Sequence, residues 1–122
     1  MTLLYLDFDY SEDTEDTGVF DAMASVGPAQ LAALHAEVAQ VLGWAHAAFA
    51  GRRGAMEEGG EWDYDLQGLR EVATPEHIAF DEGAGALQVH AGAPGVPRHT
   101  LTLSIGGSRE FCAAFRARFG LD

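Results

Sequence analysis

The sequence of this 122-residue chain predicts an α+β domain in two layers, with two helices packed on one face of a mainly antiparallel sheet. Three observations predict this class. Apolar and polar residues alternate in several short segments, which is typical of half-buried strands. Between residues 28 and 50 the apolar residues recur every three to four positions, as in an amphipathic helix. Connections of hairpin length favour antiparallel pairing. About six strands are predicted, in the order β-β-α-β-β-β-β-α, within a single domain covering residues 1–122.

The first half of the chain predicts two strands and the longer helix. The alternation indicates strands over residues 2–10 and 19–26, joined by an acidic loop over residues 11–17. The helix is predicted over residues 28–50, with Gly51 as its stop. Its apolar stripe consists of Leu31, Leu34, Val38, Val41, Leu42, Ala45 and Phe49.

The third quarter of the chain predicts a strand and a hairpin. Residues 61–67 alternate strictly, and Gly68 predicts a bulge that returns Leu69 to the apolar face. A hairpin with its loop at residues 82–85 follows. The register that matches its apolar residues pairs Phe80 with Leu87 and Ile78 with Val89.

The last quarter predicts one more strand and the second helix. Residues 98–105 alternate, Gly106 and Gly107 predict a turn, and Ser108 is a suitable cap for the final helix. The side chains predicted to be most buried in the domain are Leu34, Val38, Leu42, Trp62, Leu101, Leu103, Phe111 and Phe115. Cys112 lies on the apolar stripe of the final helix, and we expect it to be a core residue and not a nucleophile.

Charge excludes several classes of function. The chain has 19 acidic residues against seven basic ones, a net charge of −12, and every basic residue is an arginine. Nucleic acid and anionic membranes are therefore not expected partners, because both attract cationic surfaces. The single cysteine excludes an intrachain disulfide. Without a basic signal region or a long apolar run, we expect a cytoplasmic protein that does not enter a membrane.

One short motif suggests phosphoryl chemistry. Asp7-Phe-Asp9-Tyr-Ser11 resembles the first motif of the haloacid-dehalogenase-type phosphatases, Asp-x-Asp-x-Thr. The resemblance implies a parallel sheet, with Asp7 as nucleophile and Asp9 as general acid or base. The chain has Ser11 where that motif has Thr, and it has no lysine to hold the phosphoryl group. This resemblance defines the alternative function, a small metal-dependent or phosphoryl-handling enzyme centred on Asp7 and Asp9.

A metal site is the second chemical possibility. Asp7, Asp9, Asp63 and Asp65 alternate on two predicted strands, and they could bind Ca²⁺ or Mg²⁺ if those strands were neighbours. The simpler alternative is that the two pairs lie on distant strands. No calcium-loop spacing is present, and the histidines form no zinc pattern. We therefore expect neither a metal nor a cofactor.

The expected function is binding without catalysis. The acidic loop predicts a docking surface for a basic protein partner, with Trp44 as an exposed anchor. Its acids are Glu12, Asp13, Glu15 and Asp16, and the surface continues through Asp7, Asp9, Asp21, Asp63 and Asp65. The chain is similar in charge and size to bacterial immunity proteins, which neutralise basic nucleases. The alternative is that the loop is only a solvated connection. The sequence predicts no oligomeric state.

Overall fold

The computed structural model describes residues 3–13 and 15–121, and these form an α+β fold with the predicted order of elements. Every strand ladder among them is antiparallel. The strands divide into a four-stranded sheet of order β1-β2-β6-β3 and a separate two-stranded sheet, β4-β5. The elements are β1 (Asp9–Glu12), β2 (Thr17–Val26), α1 (Pro28–Ala48), a 3₁₀ turn (Met56–Glu58), β3 (Trp62–Glu71), β4 (Glu76–Asp81), β5 (Ala86–Ala91), β6 (Arg98–Ser108) and α2 (Arg109–Phe119).

The four-stranded sheet has one face covered by the helices and one open face. Phe20, Ala22, Ala24 and Val26 of β2 are buried, whereas the residues between them are exposed. The same alternation holds in β6, where Leu101, Leu103 and Ile105 are buried. The two helices cover this apolar face, as the alternation predicts.

The core contains seven of the eight residues predicted to be most buried. The exception is Leu42, which is half-buried at the edge of the core, while the adjacent Val41 is fully buried. Trp62 is 1% exposed, and its indole N–H donates to the carbonyl of Phe49 at 3.2 Å. The predicted cap is also present, because the Ser108 side chain accepts a hydrogen bond from the N–H of Phe111 at 3.1 Å.

The N-terminal segment differs from its prediction as a strand. Residues 3–8 are irregular, and Thr2 lies outside the described residues. The reason is Glu37 of α1, a buried residue whose carboxylate accepts hydrogen bonds from the N–H groups of Leu4, Tyr5 and Leu6 at 2.9, 2.9 and 2.8 Å. These backbone donors are thus satisfied by a side chain instead of a neighbouring strand. Leu6 is buried as a result.

Two predictions based on glycine are wrong. Gly106 and Gly107 do not form a turn but continue β6 between its two neighbours. A Cβ at Gly106 would lie 2.4 Å from the carbonyl oxygen of Gly18, and one at Gly107 would lie 2.1 Å from a backbone oxygen. Close approach of the strands therefore requires glycine here. Gly68 causes no bulge, because the β3–β6 register is continuous, and Leu69 stays on the open face, 58% exposed.

The predicted hairpin forms with the expected pairs, Phe80 opposite Leu87 and Ile78 opposite Val89. It does not join the main sheet, however. Pairing of β3 with β6 ends at Glu71 and Arg98. Two hydrogen bonds, from Gly95 N–H to the Ala73 carbonyl and from Gly92 N–H to the Pro75 carbonyl, both 2.7 Å, continue the ribbon to β4 and β5.

Residues 72–97 thus form a two-stranded projection, here called the β arm. At 3.3 Å per residue it extends roughly 35 Å beyond the four-stranded sheet. All of its side chains are exposed or half-buried. The predicted sheet of six strands is therefore a sheet of four with a detached hairpin, because no helix reaches far enough to cover the arm.

Candidate functional site

A row of aspartates crosses the open face of the four-stranded sheet. Asp9 of β1 lies opposite Asp21 of β2, Asp21 lies opposite Ser104 of β6, and Ser104 lies opposite Asp65 of β3. Since neighbouring strands are about 4.8 Å apart, the row is roughly 14 Å long. We call Asp9, Asp21 and Asp65, with Ser104 between the last two, the acidic row.

The acidic row has no cationic partner among the described residues. Asp21 accepts a hydrogen bond from the hydroxyl of Ser104, which is neutral. Carboxylates directly opposite each other on neighbouring strands repel, so the pair of Asp9 and Asp21 lowers stability. A cation from another molecule would relieve that repulsion. The ion pairs in the described part of the chain are Arg52–Glu61, Arg53–Asp63 and Arg109–Asp16.

An open depression of about 400 Å³ adjoins the Asp65 end of the row. Gly106 contributes to its floor because it has no side chain, and Val19, Asp63, Asp65 and Met56 are among the residues that border it. Its lining combines apolar surface with carboxylates. Such a lining suits a long side chain that has an apolar stem and a cationic end.

Asp63 is less available to a partner than the sequence predicts. The Nε–H of Arg53 donates to its carboxylate at 2.8 Å, and the guanidinium lies 4.4 Å from the centre of the Tyr64 ring. The hydrogen bond from Arg53 holds the pKa of Asp63 below its ordinary value. This cation reaches β3 because the chain from residue 52 folds back along the start of that strand, where Arg53 bridges to Trp62.

Hydrogen bonds to one side chain organise the described residues of the acidic loop. The Asp13 carboxylate accepts hydrogen bonds from the N–H groups of Glu15 at 2.9 Å and Thr17 at 3.2 Å, and from the Thr17 hydroxyl. These bonds, led by that from the hydroxyl, lower the pKa of Asp13. Asp13 therefore shapes the turn between β1 and β2, whereas the side chain of Glu15 is exposed.

Glu12 and Asp16 lie apart from the acidic row. Glu12 belongs to β1 and accepts a hydrogen bond from the hydroxyl of Tyr10 at 3.1 Å, so both side chains lie on the strand face opposite to that of Asp9. Asp16 forms an ion pair with Arg109 of α2. The single continuous acidic surface that the sequence predicts is thus divided between two sides of the sheet.

Trp44 differs from its prediction as an exposed anchor. It is half-buried, and its ring packs on four phenylalanines with centroid distances of 5.6–6.2 Å. Such aromatic packing stabilises the core, and it leaves less of the indole free for a partner. The phenylalanines are Phe49, Phe111, Phe115 and Phe119.

The aspartates of the enzyme alternative do not converge. Asp7 is exposed and precedes β1 instead of lying on it, and β1 pairs antiparallel with β2, not within a parallel sheet. Asp9 and Asp65 lie on opposite edge strands, with two strands between them. No group of three or more His, Cys, Asp or Glu side chains within residues 3–13 and 15–121 could hold a metal ion. These placements do not support the phosphatase or metal alternatives.

Comparisons with family models, curated proteins and solved structures found no match to this chain. Neither described helix combines the length and apolar character that crossing a membrane requires.

The docking surface predicted from the sequence includes Asp9, Asp21 and Asp65 of the acidic row, and Ser104 is the one residue of the row that it lacks. Asp21 alternates with buried residues in β2, so its place on the open face is visible in the sequence. The sequence does not reveal that Asp21 lies opposite Asp9, because this pairing depends on which strands are neighbours and on their register.

Proposed function

We propose that this chain is a binding protein without catalytic activity, and that it docks a basic protein partner on the open face of its sheet. The observation that carries the proposal is the acidic row, three carboxylates within about 14 Å with no arginine paired to them among the described residues. Charge complementarity of this kind directs encounter and orients a partner.

The adjoining depression supports the proposal because it offers a place for one side chain of the partner. An arginine or lysine entering it would lay its alkyl stem along Val19 and Met56 and bring its charge to Asp65. Nucleic acid and anionic lipid are not proposed partners, because a molecule with a net charge of −12 repels phosphate. A cytoplasmic location belongs to the same proposal.

The proposal is tested with an oligoarginine peptide as probe and amide chemical shifts as readout. The largest shift changes are expected at the acidic row and the residues that border the depression. Raising the salt concentration from about 0.05 to 0.3 M should weaken binding, since the Debye length shortens.

A pair of triple variants separates a defined surface from general attraction to a negative protein. Changing Asp9, Asp21 and Asp65 to Asn should abolish the localised shifts. The matched control changes Glu71, Glu82 and Glu110 to Gln, three exposed acids outside the row, and removes the same charge. If both triple variants weaken binding equally, or if the shift changes are spread over the whole surface, the acidic row is not a docking surface.

A further inference from the structure

We propose that the basic partner adds a strand to the free edge of β3, so that an extended segment of the partner extends the four-stranded sheet. This inference rests on the proposed function, because β3 carries Asp65, one end of the acidic row. β3 is an edge strand, and its ladder with β6 continues without interruption from Trp62 to Glu71. The edge strand at the other end, β1, has only four residues. A long unpaired edge is a ready template for another strand.

Alternate residues of β3 direct their backbone groups away from β6. The N–H of Ser108 donates to the carbonyl of Glu61 at 2.9 Å, so the odd-numbered residues of this strand bond to β6. The carbonyl of Trp62 instead accepts from the N–H of Gly54 at 2.8 Å, on the side away from β6. Beyond this bond no strand of the described chain pairs with that side.

Three residues of this edge keep both backbone groups available to a partner strand. The N–H of Tyr64 also points away from β6, but it donates to the carboxylate of Asp63 at 2.9 Å. The even-numbered residues that follow are Leu66, Gly68 and Arg70, and all three are exposed. An added strand would therefore pair over roughly seven residues, a usual length for a strand.

Side chains on both faces of this edge suit a segment in which basic and apolar residues alternate. On the open face Asp65 accepts a hydrogen bond from the neutral side chain of Gln67 at 2.9 Å, so a basic residue opposite it would add the missing cation. Leu69 on the same face is 58% exposed and would contact the alkyl stem of a second basic residue. On the helix face Leu66 is 40% exposed beside the half-buried Tyr64, so apolar residues fit there.

Charge selects a basic segment over a second copy of this chain. Two copies would each have a net charge of −12 and would repel each other. The sequence of β3 itself has three acidic residues against one arginine. A basic strand meets attraction where a second copy meets repulsion, so the expected occupant of the edge is the partner of the proposed function.

A peptide with the sequence Val-Arg-Val-Arg-Val-Arg-Val tests the pairing, with amide hydrogen exchange of the full chain as the readout. In antiparallel pairing, the more stable orientation per residue, its valines face the available backbone groups of β3 and one arginine lies opposite Asp65. Exchange should slow more than about tenfold at Leu66, Gly68 and Arg70, whose N–H groups would bond to the peptide. Exchange at Gln67 should be unchanged, because its N–H already bonds to β6.

N-methylation of the peptide separates backbone pairing from attraction between charges. Methyl groups on the backbone nitrogens of the two inner valines replace hydrogens that would bond to β3. The matched control N-methylates two arginines, whose N–H groups point away from β3, and it has the same charge and length. The valine-methylated peptide should bind more than about tenfold more weakly than this control, since two backbone bonds are lost. If valine methylation weakens binding no more than arginine methylation, the proposal is overturned.

Gly68→Pro blocks the edge from the side of the protein. The N–H of Gly68 bonds to no strand, and a Cβ there meets nothing within 4 Å, so this edge position tolerates proline. Gly68→Ala keeps the N–H and should bind the peptide as the parent chain does. The proline variant should retain the near-ultraviolet circular dichroism of the buried Trp62 and lose peptide binding. A folded proline variant that still binds contradicts the pairing, and the two N-methylated peptides decide the question if this variant does not fold.

The two proposals fail separately. Binding of the peptide at the acidic row without slowed exchange at Leu66 and Gly68 overturns the added strand and leaves the proposed function in place. Slowed exchange that is unchanged when Asp9, Asp21 and Asp65 are all replaced by Asn overturns the role of the acidic row. A chain that does not bind the peptide at all overturns both.

Discussion

Glu37 holds the N-terminal segment in place, and replacing it with Gln tests how much that contact contributes to stability. One carboxylate oxygen accepts from Tyr5 and Leu6 and the other from Leu4. Gln keeps one acceptor oxygen, but its amide nitrogen would face a backbone donor. At least one N–H therefore loses its acceptor, and the remaining bonds lose their charge. A hydrogen bond to a charged group contributes roughly 1.5–3 kcal/mol, so Glu37→Gln should lower the free energy of unfolding by about 2–4 kcal/mol.

Urea unfolding measures that loss, and amide hydrogen exchange locates it. Exchange at Leu4, Tyr5 and Leu6 should accelerate in the variant more than exchange at Leu103 in the core, because the segment detaches first. Glu82→Gln, at an exposed position of the hairpin loop, removes the same charge and should have little effect. A loss below about 0.5 kcal/mol, with exchange unchanged at the three amides, would refute the argument that Glu37 secures the segment.

Three further predictions concern the sheet. Leu103→Ala, at a fully buried position, should cost about 2–5 kcal/mol in urea unfolding, and the same change at the exposed Leu66 much less. Gly107→Ala should destabilise by roughly 1–3 kcal/mol or more in the same assay, because its Cβ would overlap backbone. Gly68→Ala, which meets nothing within 4 Å, should not destabilise. The pKa of Asp63 is lowered because its carboxylate accepts a hydrogen bond from Arg53. Their ion pair therefore stabilises the fold at pH values above the ordinary Asp pKa of about 3.9, and this stabilisation is lost as the pH falls through the lower pKa of Asp63 in the folded state. The melting temperature of Asp63→Asn should consequently fall less than that of the parent chain between about pH 5 and 3, and an equal fall would contradict the role of the pair.

Local sequence patterns predicted most elements of this fold because their physical causes are local. The hairpin register follows from matching apolar residues across a short loop, and the cap at Ser108 depends on a donor only three residues away. The irregular N-terminus could not be predicted in this way. It depends on Glu37, which lies 31–33 residues from the amides that it binds.

The candidate site shows the same limit. The alternation of β1 and β3 predicts that Asp9 and Asp65 point to one side of a sheet, but their separation depends on strand order. Two strands lie between them, and Asp21 is the direct neighbour of Asp9. Likewise, the apolar pairs of the hairpin predict a face that needs cover, without indicating whether the cover comes from the same molecule.

The position of β6 in the sheet has a consequence for how the chain folds during synthesis. Both β2 and β3 pair with β6, which follows both of them in the chain. While residues 98–108 remain inside the ribosome, the nascent chain can form only the two hairpins and the first helix. The four-stranded sheet can therefore be completed only after β6 has been made, and folding through such distant contacts is slow. A chain that terminates before residue 98 lacks β6, the strand with which both β2 and β3 pair. Its helix and hairpins could then not assemble into the four-stranded sheet.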